Sequence, residues 1–395
     1  MTDRSDFERL IAQDAAARWS RRRFLGRMGA TAGLAVLGPS VLAACGSDNK
    51  SNSATGTSGK PTSSDTLRIS NWPLYMAPGF VKAFEQESGL KVNYKEDFND
   101  NEQWFAKYST TLQHKQDVGA DLVVPTEFLA GRLHSLNWLA QIEESAVPNK
   151  KNMRPDLADS VVDPGRKYTM PYMSGMVGLA YNKKLAGREI KSMDDVWDPQ
   201  FKGRVSLFSD VRDGLGMIML SQGNDPAKVT AKTIQQAIDK VAEEKSKGQI
   251  RKFTGNDYAD DLSAGNVVIA QAYSGDVVQL HADNPDLQFI VPEAGGTRFV
   301  DCMVIPYTTK NQKGAETWMN YIYDRKNYAK LDIVVQYVPV LSDMTDELSK
   351  LDPKVASNPL INPTPETLAM LHDFPVLTDV QEQAFSKAYT KVTGS

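Results

Sequence analysis

From Leu67 to Tyr323 the hydrophobic period switches repeatedly between two residues and about 3.6, and this alternation limits the possible folds more than any other feature. Residues 67–70 read as a short strand. Phe80, Val81 and Phe84 stand at helical spacing and predict a helix over 78–88, stopped by Gly89. Residues 90–94 alternate as a second strand, 101–113 are helical, and 121–125 read as a buried strand with a helix from Thr126 on. A second series follows: a strand at 205–208, helices over 214–221 and 231–245, strands at 267–270 and 301–305, and a helix over 314–323. Strand and helix in alternation predict an α/β fold with parallel strands joined by crossover helices. No repeat of 20–50 residues is present, so a solenoid is excluded.

This pattern starts only after a different kind of sequence. Ser20-Arg21-Arg22-Arg23-Phe24-Leu25 reads as a twin-arginine export signal, with Arg21 and Arg22 as its pair. Gly26 stands where that pattern commonly carries lysine. The weakly apolar run behind it contains Arg27 and several glycines, and a membrane span needs about 20 uninterrupted apolar residues. It ends at Leu42-Ala43-Ala44-Cys45, a lipobox, so 1–44 is expected to be removed and Cys45 lipidated on the outer face of the cytoplasmic membrane. Residues 46–65 hold no apolar side chain beyond alanine and predict a flexible tether reaching roughly 25 Å.

Composition narrows the function. The full chain carries 45 Lys and Arg against 49 Asp and Glu, and loss of the leader makes it more acidic. That balance argues against a nucleic-acid partner. With Cys45 acylated, Cys302 is the one remaining cysteine, so no intramolecular disulfide is expected; it lies in an apolar run as a small buried hydrophobe. The four histidines form no metal-ligand spacing, and neither a nucleophile elbow nor a phosphate-binding loop is present. Ser88 and Lys91 match an S-x-x-K motif but straddle a helix end and a strand, where they cannot share one helix turn. No catalytic residue, metal or cofactor is therefore expected.

What remains is a set of aromatic and acidic residues. Trp72 and Tyr75 follow directly on the first strand, and ligands of open α/β sheets sit beyond the carboxyl ends of strands. Either residue could instead cap the sheet edge. Asp210 and Asp213 flank Arg212 ahead of a helix, where either can serve as its N-cap. Asp301 begins an otherwise apolar strand, where an unpaired acid is costly.

The ordered series Asn71-Trp72-x-x-Tyr75-x-x-Pro78-Gly79, Asp121-Leu122-Val123-Val124-Pro125-Thr126, Met170-Pro171-Tyr172 and Trp197-x-Pro199-x-Phe201-Lys202-Gly203-Arg204-Val205 resembles the spermidine/putrescine-binding proteins of ABC importers. The resemblance spans nearly all of 66–340. It implies a two-lobe, type II periplasmic-binding-protein-like fold with the ligand cleft between the lobes. It also implies that rings and carboxylates cage a linear polycation. The family's site positions fall on Trp72, Tyr75, Thr126, Phe128, Asp210, Asp213, Tyr273, Phe299, Asp301 and Tyr337; at Phe128 a hydroxyl is lost, and Tyr273 and Phe299 stand for tryptophans. Whether Glu127 faces the cleft is left open. Expected partners are a polyamine and the membrane permease of the importer, with the protein a monomer. One lobe is expected to take 66–174 with 301–337 and the other 175–300 with 338–395, hinged near 175–181 and 297–301. Two other readings stay open: the same fold holding ferric iron through Tyr273 and Tyr337, or an opine or amino-acid derivative; and a hydrolase using Asp210 and Asp213 as an acid–base pair.

Overall fold

A computed structural model describes residues 66–375 and 377–394. The export signal with Arg21 and Arg22, the lipidation site Cys45 and the tether lie outside the described residues. The first parallel group forms as the sequence pattern predicts. Strand β1 (Thr66–Asn71) is flanked by β2 (Lys91–Glu96) and β3 (Leu122–Val123), both parallel to it. Helices α1 (Phe80–Ser88), α2 (Asn101–Gln113) and α3 (Glu127–Ser135) follow these strands in turn. Helix α1 buries Phe80 and Phe84 and ends at Gly89, whose φ of 74° only glycine adopts without cost.

A second parallel group repeats the arrangement. Strand β5 (Val205–Phe208) lies between β6 (Ile250–Thr254) and β7 (Ile269–Tyr273). Helices α4 (Val211–Ser221), α5 (Ala231–Ser246) and α6 (Tyr258–Ser263) connect them, and α7 (Ser274–Asp283) follows β7.

The two groups are joined by an antiparallel ladder that the alternation does not announce. Strand β4 (Thr169–Asn182) pairs with β9 (Gly296–Val304), from Thr169 against Val304 to Val177 against Thr297. β9 continues the first group through Val123 against Val304, and β4 continues the second through Val177–Tyr181 against β7. The sheet order is β2-β1-β3-β9-β4-β7-β5-β6, with β8 (Leu287–Ile290) also on β4 and β10 (Leu371–His372) on β9. The expectation of parallel strands thus holds within each group and fails between them. The sequence of β4 hides it because all fourteen residues are buried, which erases the two-residue period.

Helix α8 (Gln312–Ile322) packs on α1 and β1 of the first group, α9 (Arg325–Val335) packs on α8 and α7, and α10 (Met344–Leu351) packs on α9. Ser174 pairs with Val338 and Met153 with Leu341. The stretch 338–351 therefore packs with elements expected in the first lobe, whereas the C-terminal helix α11 (Asp379–Thr393) packs on α5 and α4 of the second. The expected grouping of all of 338–395 with the second lobe fails in its first part. Among the described residues no helix is long and apolar enough to cross a membrane.

Candidate ligand-binding site

The carboxyl ends of both parallel groups deliver side chains to one place. β1 runs into Trp72 and Tyr75, β3 into Thr126, β6 into Asn256, and β7 ends on Tyr273; β9 contributes Phe299 and Asp301, and Tyr337 follows α9. With Trp72 these residues enclose a cavity of about 10 Å³, room for roughly one water.

Two turns aim the tyrosines. Leu74 precedes Tyr75 with a φ of 62°, and Gln336, at the end of α9, precedes Tyr337 with a φ of 59°. A non-glycine residue in this left-handed region costs of order 1 kcal/mol. Gln279 of α7 ties both turns, its Nε2 donating to the carbonyls of Leu74 (3.3 Å) and Val335 (2.9 Å). The ring of Tyr337 lies so close to Gly275 that a Cβ there would stand 2.2 Å from it, and at Gly175 one would meet Phe299 at 2.6 Å. Tyr75 and Tyr337 meet edge-on at 4.9 Å between centroids, and Phe299 stands edge-on to both Tyr337 and Tyr273. Trp72 donates its indole N–H to Val124 O at 2.7 Å and packs on Phe98.

The acids of this chamber accept from neutral donors. Asp301 accepts from the Tyr75 hydroxyl through Oδ2 and from the Thr126 hydroxyl through Oδ1, both at 2.7 Å. Thr126 is in turn held by Asn101. Asp276, in the first turn of α7, accepts from the hydroxyls of Tyr337 (2.6 Å) and Tyr258 (2.8 Å) and from Asn256. Among the described residues no cation pairs with Asp301 or Asp276. Burial pushes the Asp301 carboxyl up to about 7, against the hydrogen bonds from Tyr75 and Thr126. Burial likewise pushes Asp276 to about 6. Asp213 accepts from the Tyr273 hydroxyl at 2.8 Å and is also held above its ordinary range by burial.

Asp276 was not among the residues expected from sequence. The signal that could have found it is an acid in the first turn of a helix directly behind a strand's carboxyl end.

Two expected residues lie elsewhere. Asp210 is the N-cap of α4 and accepts from the amides of Arg212 and Asp213; burial and Asp213 hold its carboxyl well above the usual range. Phe128 stands outside the chamber, under the guanidinium of Arg212, whose carbon is 4.0 Å from the ring centroid. Glu127 faces a groove outside the chamber and pairs with buried Arg166 at 2.6 Å, so it adds no free acid. The iron and hydrolase readings lose their geometry here. The hydroxyls of Tyr273 and Tyr337 donate to different aspartates, and Asp210 and Asp213 share one helix turn instead of facing each other across a substrate.

Comparison with known proteins supplies the remaining context. Residues 79–363 match the model of the family described as bacterial extracellular solute-binding protein. The chain is 27% identical over 334 residues to spermidine/putrescine-binding periplasmic protein 1 of Haemophilus influenzae, covering 84% of this chain and 89% of that one. It is 28% identical over 348 residues to the putrescine-binding periplasmic protein SpuD of Pseudomonas aeruginosa, covering 82% and 91%. Its fold is similar to that of a solved putative spermidine/putrescine ABC transporter protein from Listeria monocytogenes, with a TM-score of 0.74, 25% identity, and 83% and 99% of the two chains covered.

Proposed function

The chain belongs to the bacterial extracellular solute-binding proteins, and from that premise we propose that it captures a linear polyamine and delivers it to an ABC importer. One observation carries this reading: Asp301 lines an aromatic chamber and Asp276 lies directly behind its Tyr337 and Asn256, both acids buried with hydroxyl and amide donors and no paired cation among the described residues. A buried carboxylate is stable when a cation meets it. An alkyl chain with an ammonium at each end supplies two cations and an apolar middle. The ammoniums would displace the protons held by the buried carboxyls and join the tyrosine hydroxyls as their partners, and the methylenes would lie on Trp72, Tyr75, Tyr337, Tyr273 and Phe299. Each ring adds cation–π attraction of about 0.5–2 kcal/mol. Asp213, bonded to Tyr273, gives a third acid at the edge of the chamber.

Capture works by closure. The walls come from both parallel groups, which the β4–β9 ladder joins, and the space between them is too small for a diamine without movement. Opening about this ladder admits the ligand, and contacts on both walls favour the closed form. The family names of the relatives support a polyamine ligand and a permease partner. The lipobox at Cys45 and its tether support an anchor that keeps the protein beside that permease.

Titration calorimetry of the purified full chain with putrescine, cadaverine, spermidine and spermine tests the reading. Heat of binding from at least one of them is expected. No heat from any, in protein shown to be folded, rejects it.

A further inference from the structure

Outside the chamber, past Thr126 and Phe299, opens a groove of about 680 Å³. Arg212 stands at its inner end. This side chain is 94% buried with its residue, lies face-on to Phe128, and gives both terminal nitrogens to Glu382 of α11, at 2.9 and 2.5 Å. A planar guanidinium held by a two-point carboxylate and a ring has little freedom to move aside. Of the acids lining the groove beyond, Glu127 is paired with Arg166, Asp373 with Arg298 and Asp156 with Arg154, while Asp159 accepts from the amides of Ser160 and Gly165 and Asp213 from the Tyr273 hydroxyl.

Resting on the polyamine reading above, we propose that Arg212, fixed by Phe128 and Glu382, closes the outer end of the ligand chamber and makes the protein selective for diamines over triamines. A ligand with two ammoniums finishes at the chamber acids. The third ammonium of a longer ligand leaves past Thr126 and Phe299 and meets a fixed positive charge whose own carboxylate is already used. At short range in a buried setting, two like charges disfavour each other strongly. The residue sits beside Asp213, so the same side chain also lowers the pull of that acid on a further cation.

The test compares putrescine, cadaverine and spermidine on the full chain and on Arg212→Gln by calorimetry. The wild-type protein should bind a diamine at least tenfold more tightly than spermidine. In Arg212→Gln the spermidine-to-putrescine affinity ratio should rise at least fivefold. A wild-type preference for spermidine, or a ratio that moves by less than fivefold, overturns the proposal while leaving polyamine binding intact. Binding of no amine by the folded wild type would reject the underlying reading, and this inference with it. If the single variant does not fold, because Glu382 is left unpaired, Arg212→Gln/Glu382→Gln removes both charges together and is read by the same ratio.

Discussion

Asp301 concentrates the physics of the site in one residue. Its carboxyl is buried, accepts two hydroxyl protons, and is pushed up to about 7 by that burial. A ligand ammonium would stabilise its charged form, and hydrogen bonds to charged groups contribute about 1.5–3 kcal/mol. Asp301→Asn keeps the shape and the acceptor for one hydroxyl but removes the charge. Diamine affinity should fall roughly 10–100-fold, as measured by calorimetry, while the ligand-free variant melts higher than wild type at pH 8 because a buried charge is gone. Affinity within threefold of wild type would take Asp301 out of the site. Of the residues sequence singled out, this one was legible because an acid heading an apolar strand is costly without a purpose. Phe128 was misplaced because chain position puts it behind β3 with Thr126, while the packing that turns it under Arg212 comes from α4 and α11, far along the chain.

Elements determine where the tyrosines point. Helix α7 supplies Asp276, the close-approach glycine Gly275, and Gln279, which bonds the turns before both Tyr75 and Tyr337. Gln279→Leu should leave those carbonyls unpaired and let the turns relax. Diamine dissociation should speed up at least fivefold in stopped-flow fluorescence, with lower affinity and little change in association rate. An unchanged dissociation rate would show that the turns hold themselves. The first parallel group can be read from period and stop signals, and in the second β5, α4, α5 and β7 can; β6 cannot, because its exposed Arg251 and Lys252 break the apolar alternation. The β4–β9 ladder could not, since a strand buried on both faces has no alternation. Asp276 escaped because no element is read from the sequence between 270 and 301, and only Tyr337, sixty-one residues further on, reveals what the acid serves.

At the scale of the whole molecule, the ligand chamber opposes stability. Asp301 and Asp276 hold their protons more tightly in the folded chain than in the unfolded one, where an aspartate titrates near 3.9. Stability from those bound protons is complete below about pH 4 and is lost as pH rises through about 6 and 7. The ligand-free protein should therefore melt lower at pH 8 than at pH 5. Saturating putrescine should raise the melting temperature more at pH 8 than at pH 5, because the cation replaces the lost protons. An equal ligand effect at both pH values would mean that these acids do not meet the ligand. The overall fold was legible through its local periods and its ordered family motifs. The meeting of the two groups around the chamber came only through the family motifs, because it depends on contacts that link residues hundreds of positions apart, such as Tyr75 with Asp301, which no local period records.

On binding, ligand ammoniums replace protons on buried carboxyls. Calorimetry of putrescine binding at pH 6, repeated in buffers of different ionisation enthalpy, counts the protons exchanged. About one proton or more per diamine should be released at pH 6, falling toward zero by pH 8.5, as expected for groups near 6 and 7. Binding with no proton release at pH 6, or with proton uptake, would contradict it.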